Sequence, residues 1–194
     1  RIKMPMKLEN HKLTLSNKCL RLVWQAVWIL LYRPTPRLLH AWRCFLLRIF
    51  GAKLGSAVHV YPSSKVWAPW NVEMDDHACL SEGVDCYSVA KIKIGKNTTV
   101  SQYSYLCSAS HDYSDSDMNL VIAPITIGER VWITADVFIG PGVTIGDGAV
   151  ITARSSVLSD IPEWVIAKGN PAVEVKSRRF KDLSANNGDY RSMK

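Results

Sequence analysis

The sequence lacks the cysteine patterns that hold small domains together. It has five cysteines, an odd number, and none of them forms a Cys-x-x-Cys pair. This argues against a disulfide framework and against a structural zinc site. We therefore expect free thiols and a reducing compartment, the cytoplasm.

The chain also lacks a long apolar run. Its most apolar stretch, residues 22–32, contains one polar residue, Gln25, and is only 11 residues long. A helix that crosses a bilayer needs about 20. A soluble or peripheral protein is expected.

Acidic residues are almost absent from the N-terminal segment. Residues 1–53 contain 11 Lys or Arg and one acid, Glu9, a net charge of +10. Residues 54–194 contain 13 bases and 16 acids, so the formal charge of +7 comes entirely from the N-terminal segment. A basic segment rich in Trp and Leu indicates an acidic partner or a membrane surface rather than nucleic acid.

The basic segment is predicted to hold two helices. We expect residues 1–15 to be loosely ordered, with Ser16 or Asn17 as the N-cap of a first helix that runs to about Tyr32.

The second predicted helix has Thr35 as its N-cap and Pro36 as its first residue, and it ends near Gly51. These helices either pack on the following domain and cap its open end, or contact lipid headgroups with their basic side. In the second helix, the apolar residues that recur at helical spacing are Leu38, Trp42, Phe45 and Ile49. The basic side of the same helix consists of Arg37, Arg43 and Arg48.

From Leu54 onward, apolar residues recur every six positions. The repeat is strict over residues 127–162, which read IGERVW, ITADVF, IGPGVT, IGDGAV, ITARSS and VLSDIP. A period of six fits neither a helix nor an alternating strand. It describes a short strand plus a turn, with three units to a coil of about 18 residues. The pattern predicts a parallel β-helix over residues 54–176, in which each coil buries its face on the next.

Each position of the hexad has a predicted role. The first residue points inward, and the earlier coils supply it at Leu54, Val60, Val66, Met74, Leu80, Cys86, Ile94, Val100 and Leu106; after the interruption the six-residue spacing resumes at Val121. The fifth residue is inward and small at the corner: Val131, Val137, Val143, Ala149 and Ser155. The turns are expected to use residues that tolerate positive φ: Gly140, Gly142, Gly146, Asp147 and Gly148.

The repeat [Ile/Val]-Gly-x-x-small-x resembles the hexapeptide-repeat acyltransferases. The stretches LYRPTPRLLHAWRCFLLRIFGAKLG, YPSSKVWAPWNVEM and GVDCYSVAKIKIG narrow the resemblance to the colanic-acid-type O-acetyltransferases of bacterial exopolysaccharide synthesis. More distantly the chain is similar to the maltose and galactoside acetyltransferases.

The resemblance implies a mainly β protein, a left-handed parallel β-helix with two N-terminal helices and a short C-terminal helical segment. The expected division is a basic helical segment (1–53), the acyltransferase domain (54–176) with an extruded loop (112–120), and a tail (177–194). It further implies a cytoplasmic homotrimer with active sites between subunits. Acetyl-CoA is then the acyl donor and a small or lipid-linked saccharide the acceptor. The basic and aromatic residues of the N-terminal helices lead to a separate hypothesis, peripheral contact with the inner face of the membrane.

His111 is the candidate general base. The hexad rhythm breaks directly after it, and a loop extruded from a solenoid builds the wall of a pocket. Acetyl transfer to a hydroxyl needs one proton removed, for which a neutral imidazole is suited near pH 7. The family's catalytic histidine falls on this position. Asp85 is the candidate partner that orients it, although related sugar acetyltransferases carry an asparagine in this neighbourhood.

The remaining candidates concern donor and acceptor. Ala135 and Ala153 hold the same hexad position one coil apart, so they leave a groove for the pantetheine arm of acetyl-CoA, as the resemblance implies. Lys168 and Lys176 are candidates for its phosphates, with Arg178 and Arg179 nearby. Trp132 and Tyr113 are candidates for acceptor binding.

No metal is expected to be required. No histidine follows His111 in the sequence, so a three-histidine site would have to recruit His59 or His77. Two alternatives stay open: an acyltransferase for an amino acid or antibiotic, and a non-catalytic hexapeptide scaffold. His111 and its loop discriminate against the scaffold, which needs neither.

Overall fold

The structure is a computed structural model and describes residues 9–10 and 14–179. Helix α1 spans Leu15–Val27 and continues as a π-helical turn, Trp28–Tyr32. Helix α2 spans His40–Ile49, and a 3-10 turn spans Pro69–Asn71. Thr14, instead of the predicted Ser16 or Asn17, caps α1, because its hydroxyl accepts a hydrogen bond from the Asn17 backbone N–H.

Short strands make up the rest of the described chain. In chain order they are β1 (Glu9–Asn10), β2 (Lys53–Leu54), β3 (His59–Val60), β4 (Lys65–Val66), β5 (Val72–Met74), β6 (Cys79–Leu80), β7 (Asp85–Tyr87), β8 (Ile92–Ile94), β9 (Thr99–Val100), β10 (Tyr105–Cys107), β11 (Ala109–His111), β12 (Leu120–Ile122), β13 (Ile125–Ile127), β14 (Trp132–Ile133), β15 (Phe138–Ile139), β16 (Thr144–Ile145), β17 (Val150–Ile151), β18 (Ser156–Val157), β19 (Val165–Gly169) and β20 (Ala172–Ser177).

Three parallel sheets form the sides of the predicted β-helix. Sheet 1 contains β2, β5, β8, β13 and β16, and sheet 3 contains β4, β7, β10, β15 and β18. Sheet 2 contains β3, β6, β9, β14, β17 and β19, with β20 added antiparallel. Each coil visits sheets 1, 2 and 3 in turn, so every strand pairs with the same position one coil away.

The inward positions of the hexads form the core, as predicted. Ile133, Ile139 and Ile151 are fully buried. The small residues at position five are buried as well, from Val131 to Ser155. Burying one such aliphatic side chain contributes about 1.5–3 kcal/mol, so the stacked columns hold the coils together.

The register shows where the early coils are longer. Leu54 pairs with Met74 and Met74 with Ile94, at spacings of 20 residues, whereas Ile127 pairs with Ile145 at a spacing of 18. Val121, predicted to resume the six-residue spacing, instead lies in β12, outside the three sheets. The run restarts at Ile127, which pairs with Ile94.

In the strict coils, the residues with positive φ occupy the fourth position of the hexad. The turn prediction is correct for Gly142 and Gly148 but wrong for Gly140, Gly146 and Asp147. The fourth position tolerates other residues too, and in the strict coils it reads Arg130, Asp136, Gly142, Gly148 and Arg154.

Gly146 has a different role, because it allows close approach of the next coil. A Cβ at this position would lie 2.5 Å from the Glu163 backbone nitrogen. Asp147 also acts between coils, since its carboxylate accepts a hydrogen bond from the Glu129 backbone N–H at 2.7 Å.

The helices cap the open end of the first coil, which confirms one of the two interpretations. An exposed sheet edge presents unpaired carbonyl groups. Here the indole N–H of Trp24 donates to the Val66 carbonyl at 2.7 Å, and that of Trp28 donates to the Ser64 carbonyl at 3.0 Å. Arg43 donates from Nε to the Val60 carbonyl at 2.7 Å.

Helix α2 differs from its prediction in start and in orientation. It starts at His40, because Thr35 closes a turn instead of capping a helix: its hydroxyl donates to the Tyr32 carbonyl at 2.6 Å. Arg43, expected on a solvated basic side, is fully buried with its donors on backbone carbonyls. The apolar residues predicted to repeat along this helix therefore face outward. Gly51, with φ of 89°, ends the helix as predicted.

The described C-terminal end is a hairpin of β19 and β20 instead of the expected helical segment. Val173 and Val175 alternate with Glu174 and Lys176, a pattern that favours a strand. The predicted tail 177–194 lies outside the described residues from residue 180 onward.

Candidate active site

A β-hairpin interrupts the solenoid between sheets 3 and 1. Strands β11 and β12 pair antiparallel, with Ala109 opposite Ile122 and His111 opposite Leu120. The hairpin thus begins two residues before His111, and its tip is residues 112–119. Strand β1 pairs with β12, so Glu9 and Asn10 are ordered although residues 1–15 were expected to be loose; residues 1–8 and 11–13 lie outside the described chain.

The tip of the hairpin is organised by its own polar side chains. The Asp112 carboxylate accepts from the backbone N–H of Ser114 at 2.9 Å, and Asp115 accepts from that of Asp117 at 3.0 Å. Hydrogen bonds from the Ser114 hydroxyl and, to a smaller extent, from its backbone N–H lower the pKa of Asp112. Backbone bonds from Asp112 to Asn119 and from Met118 to Asp115 close the turn. These bonds fix the position of the carbonyl groups at the tip.

His111 is exposed and held by one of these carbonyls. Its Nδ1 lies 2.6 Å from the Met118 carbonyl oxygen. A carbonyl can only accept a hydrogen bond, so in the neutral ring Nδ1 carries the hydrogen and Nε2 carries the lone pair. This is the tautomer that a general base working through Nε2 requires.

Asp85 does not orient His111 in this arrangement. The Nδ1 position that Asp85 was predicted to hold is taken by the Met118 carbonyl. Asp85 instead lies on sheet 3, directly between Lys65 and Tyr105 in the register. It lines a cavity of about 390 Å³ beneath α1 that His111 does not line.

This cavity combines aromatic and charged side chains. Sheet 3 supplies Trp67, Tyr87 and Tyr105 along with Lys65 and Asp85, and α1 covers them. Its other lining residues are Arg21, Trp24, Gln25, Trp28 and Val66. The guanidinium of Arg21 lies 3.7 Å from the centre of the Trp67 ring. Burial raises the pKa of Asp85, while Lys65 opposes that rise.

The sequence analysis assigned no role to most of these cavity residues. One signal was available for Lys65, Asp85 and Tyr105, which directly precede inward residues of the hexad repeat and so share an outward column. Arg21 carried no such signal, because its place depends on how α1 packs.

The small residues of the predicted donor groove stack on one another, as their spacing of 18 residues predicts. Ala135 and Ala153 lie at the corner between sheets 2 and 3, and the Arg154 backbone N–H donates to the Ala135 carbonyl at 3.1 Å. Gly169 holds the same position in the next coil, because Ile151 pairs with Ala167. Its N–H donates to the Ser155 hydroxyl at 3.1 Å. The sequence analysis missed Gly169, although AKGNPA aligns it with the alanines.

The predicted cations lie on the C-terminal hairpin. Lys168 is exposed and adjoins Gly169 at the end of the groove, and Lys176 is exposed on β20 opposite Ile166. Arg178 donates to the carbonyls of Arg130 and Gly148 at 2.9 and 2.7 Å. Its guanidinium therefore already fastens the hairpin to the β-helix.

Trp132 and Tyr113 both face outward, 50% and 79% exposed. Trp132 lies on sheet 2 beside an open depression that also includes Thr99 and Arg178, and its indole N–H donates to the Ser101 hydroxyl at 3.0 Å. Tyr113 lies at the hairpin tip, two residues after His111.

A single chain does not bring these candidates together. His111 projects from the corner between sheets 3 and 1, whereas the alanine groove follows the corner between sheets 2 and 3. The full width of sheet 3 separates the two corners. The depression at Trp132 lies on yet another side.

Residues 14–179 contain no group of three metal-binding side chains, and none of their helices has the length and apolar content to cross a membrane.

Comparison with known proteins shows which family has this sequence pattern and fold. Residues 124–158 match a family model described as bacterial transferase hexapeptide (six repeats). The chain is 44% identical over 156 residues to the putative colanic acid biosynthesis acetyltransferase WcaF of Escherichia coli (strain K12), covering 80% of this chain and 86% of that protein.

Solved structures show the same fold. A hexapeptide-repeat acetyltransferase from Vibrio cholerae O1 biovar eltor, complexed with acetyl coenzyme A, superposes with a TM-score of 0.77 at 25% identity, covering 86% of this chain and 91% of that one. A galactoside acetyltransferase in complex with coenzyme A gives a TM-score of 0.79 at 26% identity, covering 89% and 90%. The β-helix is thus the left-handed one of these enzymes, and the chain belongs to the hexapeptide-repeat acetyltransferase family.

Proposed function

We propose that the protein transfers an acetyl group from acetyl-CoA to a sugar hydroxyl in the synthesis of a surface polysaccharide. The observation that carries this proposal is the state of His111: exposed on a hairpin, with Nδ1 on the Met118 carbonyl and Nε2 as the basic nitrogen. Similarity to the WcaF relative supports the exopolysaccharide context. The acceptor is a saccharide or its lipid-linked precursor, which puts the enzyme in the cytoplasm at the inner face of the membrane.

In the proposed reaction, Nε2 of His111 removes the proton of the acceptor hydroxyl while its oxygen attacks the thioester carbonyl. Backbone N–H groups stabilise the negative charge that develops on the carbonyl oxygen. The C–S bond then breaks, the sulfur leaves with the proton that the histidine returns, and the products are an O-acetyl ester and coenzyme A. The transfer is direct, so no acylated side chain is required.

The acyl donor is proposed to lie along the groove of Ala135, Ala153 and Gly169. These side chains are small enough for the narrow pantetheine arm to approach the backbone. Lys168 adjoins this groove, and Lys176 lies on the neighbouring strand; both would face the phosphates of the donor.

Three subunits complete the proposed site. Because His111 and the donor groove lie at different corners of one chain, the base of one subunit must meet the groove of a neighbour. A closed ring of three repeats this contact three times without leaving an open face. Tyr113 and Trp132, both exposed, would then line the acceptor side.

The cavity beneath α1 offers a place for part of the acceptor. Aromatic rings stack on sugar faces, and carboxylates and guanidinium groups hydrogen-bond to their hydroxyls. Trp67, Tyr87 and Asp85 supply these groups, and Arg21 lies over the ring of Trp67.

The test is release of coenzyme A from acetyl-CoA with a panel of sugars, nucleotide sugars, amino acids and aminoglycoside antibiotics. His111→Ala should reduce acceptor-dependent release by about a hundredfold or more. His77→Asn is the matched control: it also removes an exposed histidine, and asparagine tolerates the left-handed conformation found there, with φ of 57°.

Release of coenzyme A with amino acids or antibiotics, but not with sugars, would contradict the proposal that the acceptor is a sugar. Unchanged release in His111→Ala would remove the histidine from the mechanism. No release and no binding of acetyl-CoA would favour the scaffold.

A further inference from the structure

The two N-terminal helical segments present an apolar surface to solvent. Leu22 and Leu30 of the first segment are 69% and 68% exposed, and Leu38, before α2, is 89% exposed. Trp42, Phe45 and Ile49 continue along the outer side of α2. We call these six residues the apolar face. Contiguous apolar surfaces of this kind mark a place where another surface binds.

The apolar face is continuous across both segments. The indole N–H of Trp42 donates to the Leu31 carbonyl at 2.9 Å, which ties α2 to the end of the first segment. The rings of Trp42 and Phe45 lie 5.6 Å apart. The other side of each helix is already used, because Trp24 and Arg43 cap the first coil. Core packing therefore does not account for the outward leucines.

The charge around this face has one sign. Residues 14–53 contain seven bases and no acid. Lys18, Arg33 and Arg48 are exposed. Arg37 forms a salt bridge with Glu82 of the β-helix at 3.0 Å, and Arg43 is buried, so neither contributes a free positive charge to the surface.

These observations favour an anionic lipid surface over a protein partner. An amphipathic helix with apolar residues on one side and flanking Lys and Arg inserts at the boundary between headgroups and acyl chains. A second copy that contacted this face with its own would bring like charges together. Lipid headgroups instead supply both the negative charge and the apolar layer.

We propose that the apolar face docks on an anionic membrane surface, with α1 and α2 lying in its plane. The docking element is the apolar face, which contains the apolar row of the second predicted helix, and the cations around it attract the headgroups. Docking is independent of the proposed acetyl transfer, since vesicle binding needs neither acetyl-CoA nor an acceptor.

The test is sedimentation of the full chain with vesicles of phosphatidylcholine alone or with about 30% phosphatidylglycerol. The double variant Leu38→Glu/Phe45→Glu should bind the anionic vesicles at least about tenfold more weakly than the wild type, and about 0.5 M salt should weaken wild-type binding. Val173→Glu/Val175→Glu is the matched control: it makes the same charge change at two exposed valines of β20, 60% and 57% exposed, and should bind like the wild type.

Circular dichroism and light scattering accompany the sedimentation, so that a folding defect is recognised; the single variant Leu38→Glu then serves in place of the double one. Absence of wild-type binding to anionic vesicles would overturn the proposal. Equal binding by both double variants would do the same. A change of oligomeric mass in Leu38→Glu/Phe45→Glu, without vesicle binding by the wild type, would assign the face to a subunit contact instead.

Discussion

The two halves of the β-helix, residues 54–126 and 127–162, differ mainly at the corner between sheets 3 and 1. There the chain needs eight residues to pass from sheet 3 to sheet 1 in each of the first two coils and 21 in the third, but only six in the fourth, from Ile139 to Ile145. The His111 hairpin is thus the largest of three insertions at one corner. In the strict half the same corner is tight.

The widened corner has its own supports. The Ser88 hydroxyl accepts from the Ala68 backbone N–H at 3.0 Å, and the Ser108 hydroxyl accepts from that of Ala90 at 2.9 Å. Both serines are buried. The strict coils therefore keep one geometry, and we propose that they supply the donor groove, whereas the irregular corner carries the proposed base, His111.

Removing the hairpin gives the largest expected effect. Excision of residues 109–123 would restore a six-residue step, and its ends already meet, because the Ala123 N–H donates to the Ser108 carbonyl at 3.0 Å. The shortened protein should unfold cooperatively, bind acetyl-CoA and show acetyl transfer reduced by about a thousandfold or more, since base and loop are both lost. Transfer within about tenfold of the wild type would show that the corner is not the site of the chemistry.

Tightness of the strict half can be tested at two glycines. A Cβ at Gly146 would lie 2.5 Å from the Glu163 backbone nitrogen, whereas a Cβ at Gly140 would meet atoms of the next coil only at 3.4 Å. Gly146→Ala should lower the free energy of unfolding by about 1–3 kcal/mol, because backbone cannot move aside. Gly140→Ala is the matched control and should change it less. Urea unfolding measures both, and equal losses would contradict the close-approach account.

The smallest expected effect is on the pH dependence of stability, through His40 of helix α2, which caps the irregular half. Burial lowers the pKa of His40, although its hydrogen bond to the Val60 carbonyl opposes this, and His59, Arg43 and Arg37 add to the lowering. An unfolded histidine has a pKa of about 6.5. Between the folded and unfolded pKa values the unfolded chain binds more protons, so stability should fall as the pH drops below about 6.5.

His40→Asn should therefore lose less free energy of unfolding than the wild type between about pH 7.5 and about pH 5.5. Urea unfolding at both pH values checks this. Parallel losses in the two proteins would assign the pH response to other groups.

The sequence predicts the solenoid well because its signal is repeated. Inward positions from Ile127 to Val157 share one chemistry, and each is buried as expected. Turn geometry is harder to predict, because the position with positive φ accepts Arg130 and Asp136 as well as glycine. The backbone imposes that conformation through contacts between coils, which no single hexad contains.

The N-terminal helices show a different limit. Periodicity identifies an apolar side of α2 but does not say which side faces the protein. Arg43 determines which side packs inward, because its guanidinium donates hydrogen bonds to the carbonyl groups of Val60, at the open end of the β-helix, and of Pro36. The buried, fully hydrogen-bonded Arg43 thus sets the orientation of α2, and the apolar row that contains Leu38 and Ile49 faces solvent.

The candidate site divides in the same way. The hairpin at His111 and the stacking of Ala135 on Ala153 could be predicted, because they depend on a break in the repeat and on a fixed spacing. The roles of these residues in catalysis and donor binding stay predictions. The partner of His111 could not be predicted, because the Met118 carbonyl is positioned by the fold of the hairpin tip and backbone groups leave no trace in residue type.

The central claim is that the groove binds the donor and His111 acts only in the chemical step. The most direct test is to measure both the Kd for acetyl-CoA and the turnover rate of two variants. His111→Ala should bind acetyl-CoA within about twofold of the wild type and yet lose about a hundredfold or more in turnover. Ala153→Trp, which fills the groove, should bind at least about tenfold more weakly, while Glu129→Trp, at the same hexad position on another corner, should bind like the wild type. Loss of acetyl-CoA binding in His111→Ala, or unchanged binding in Ala153→Trp, would contradict the account.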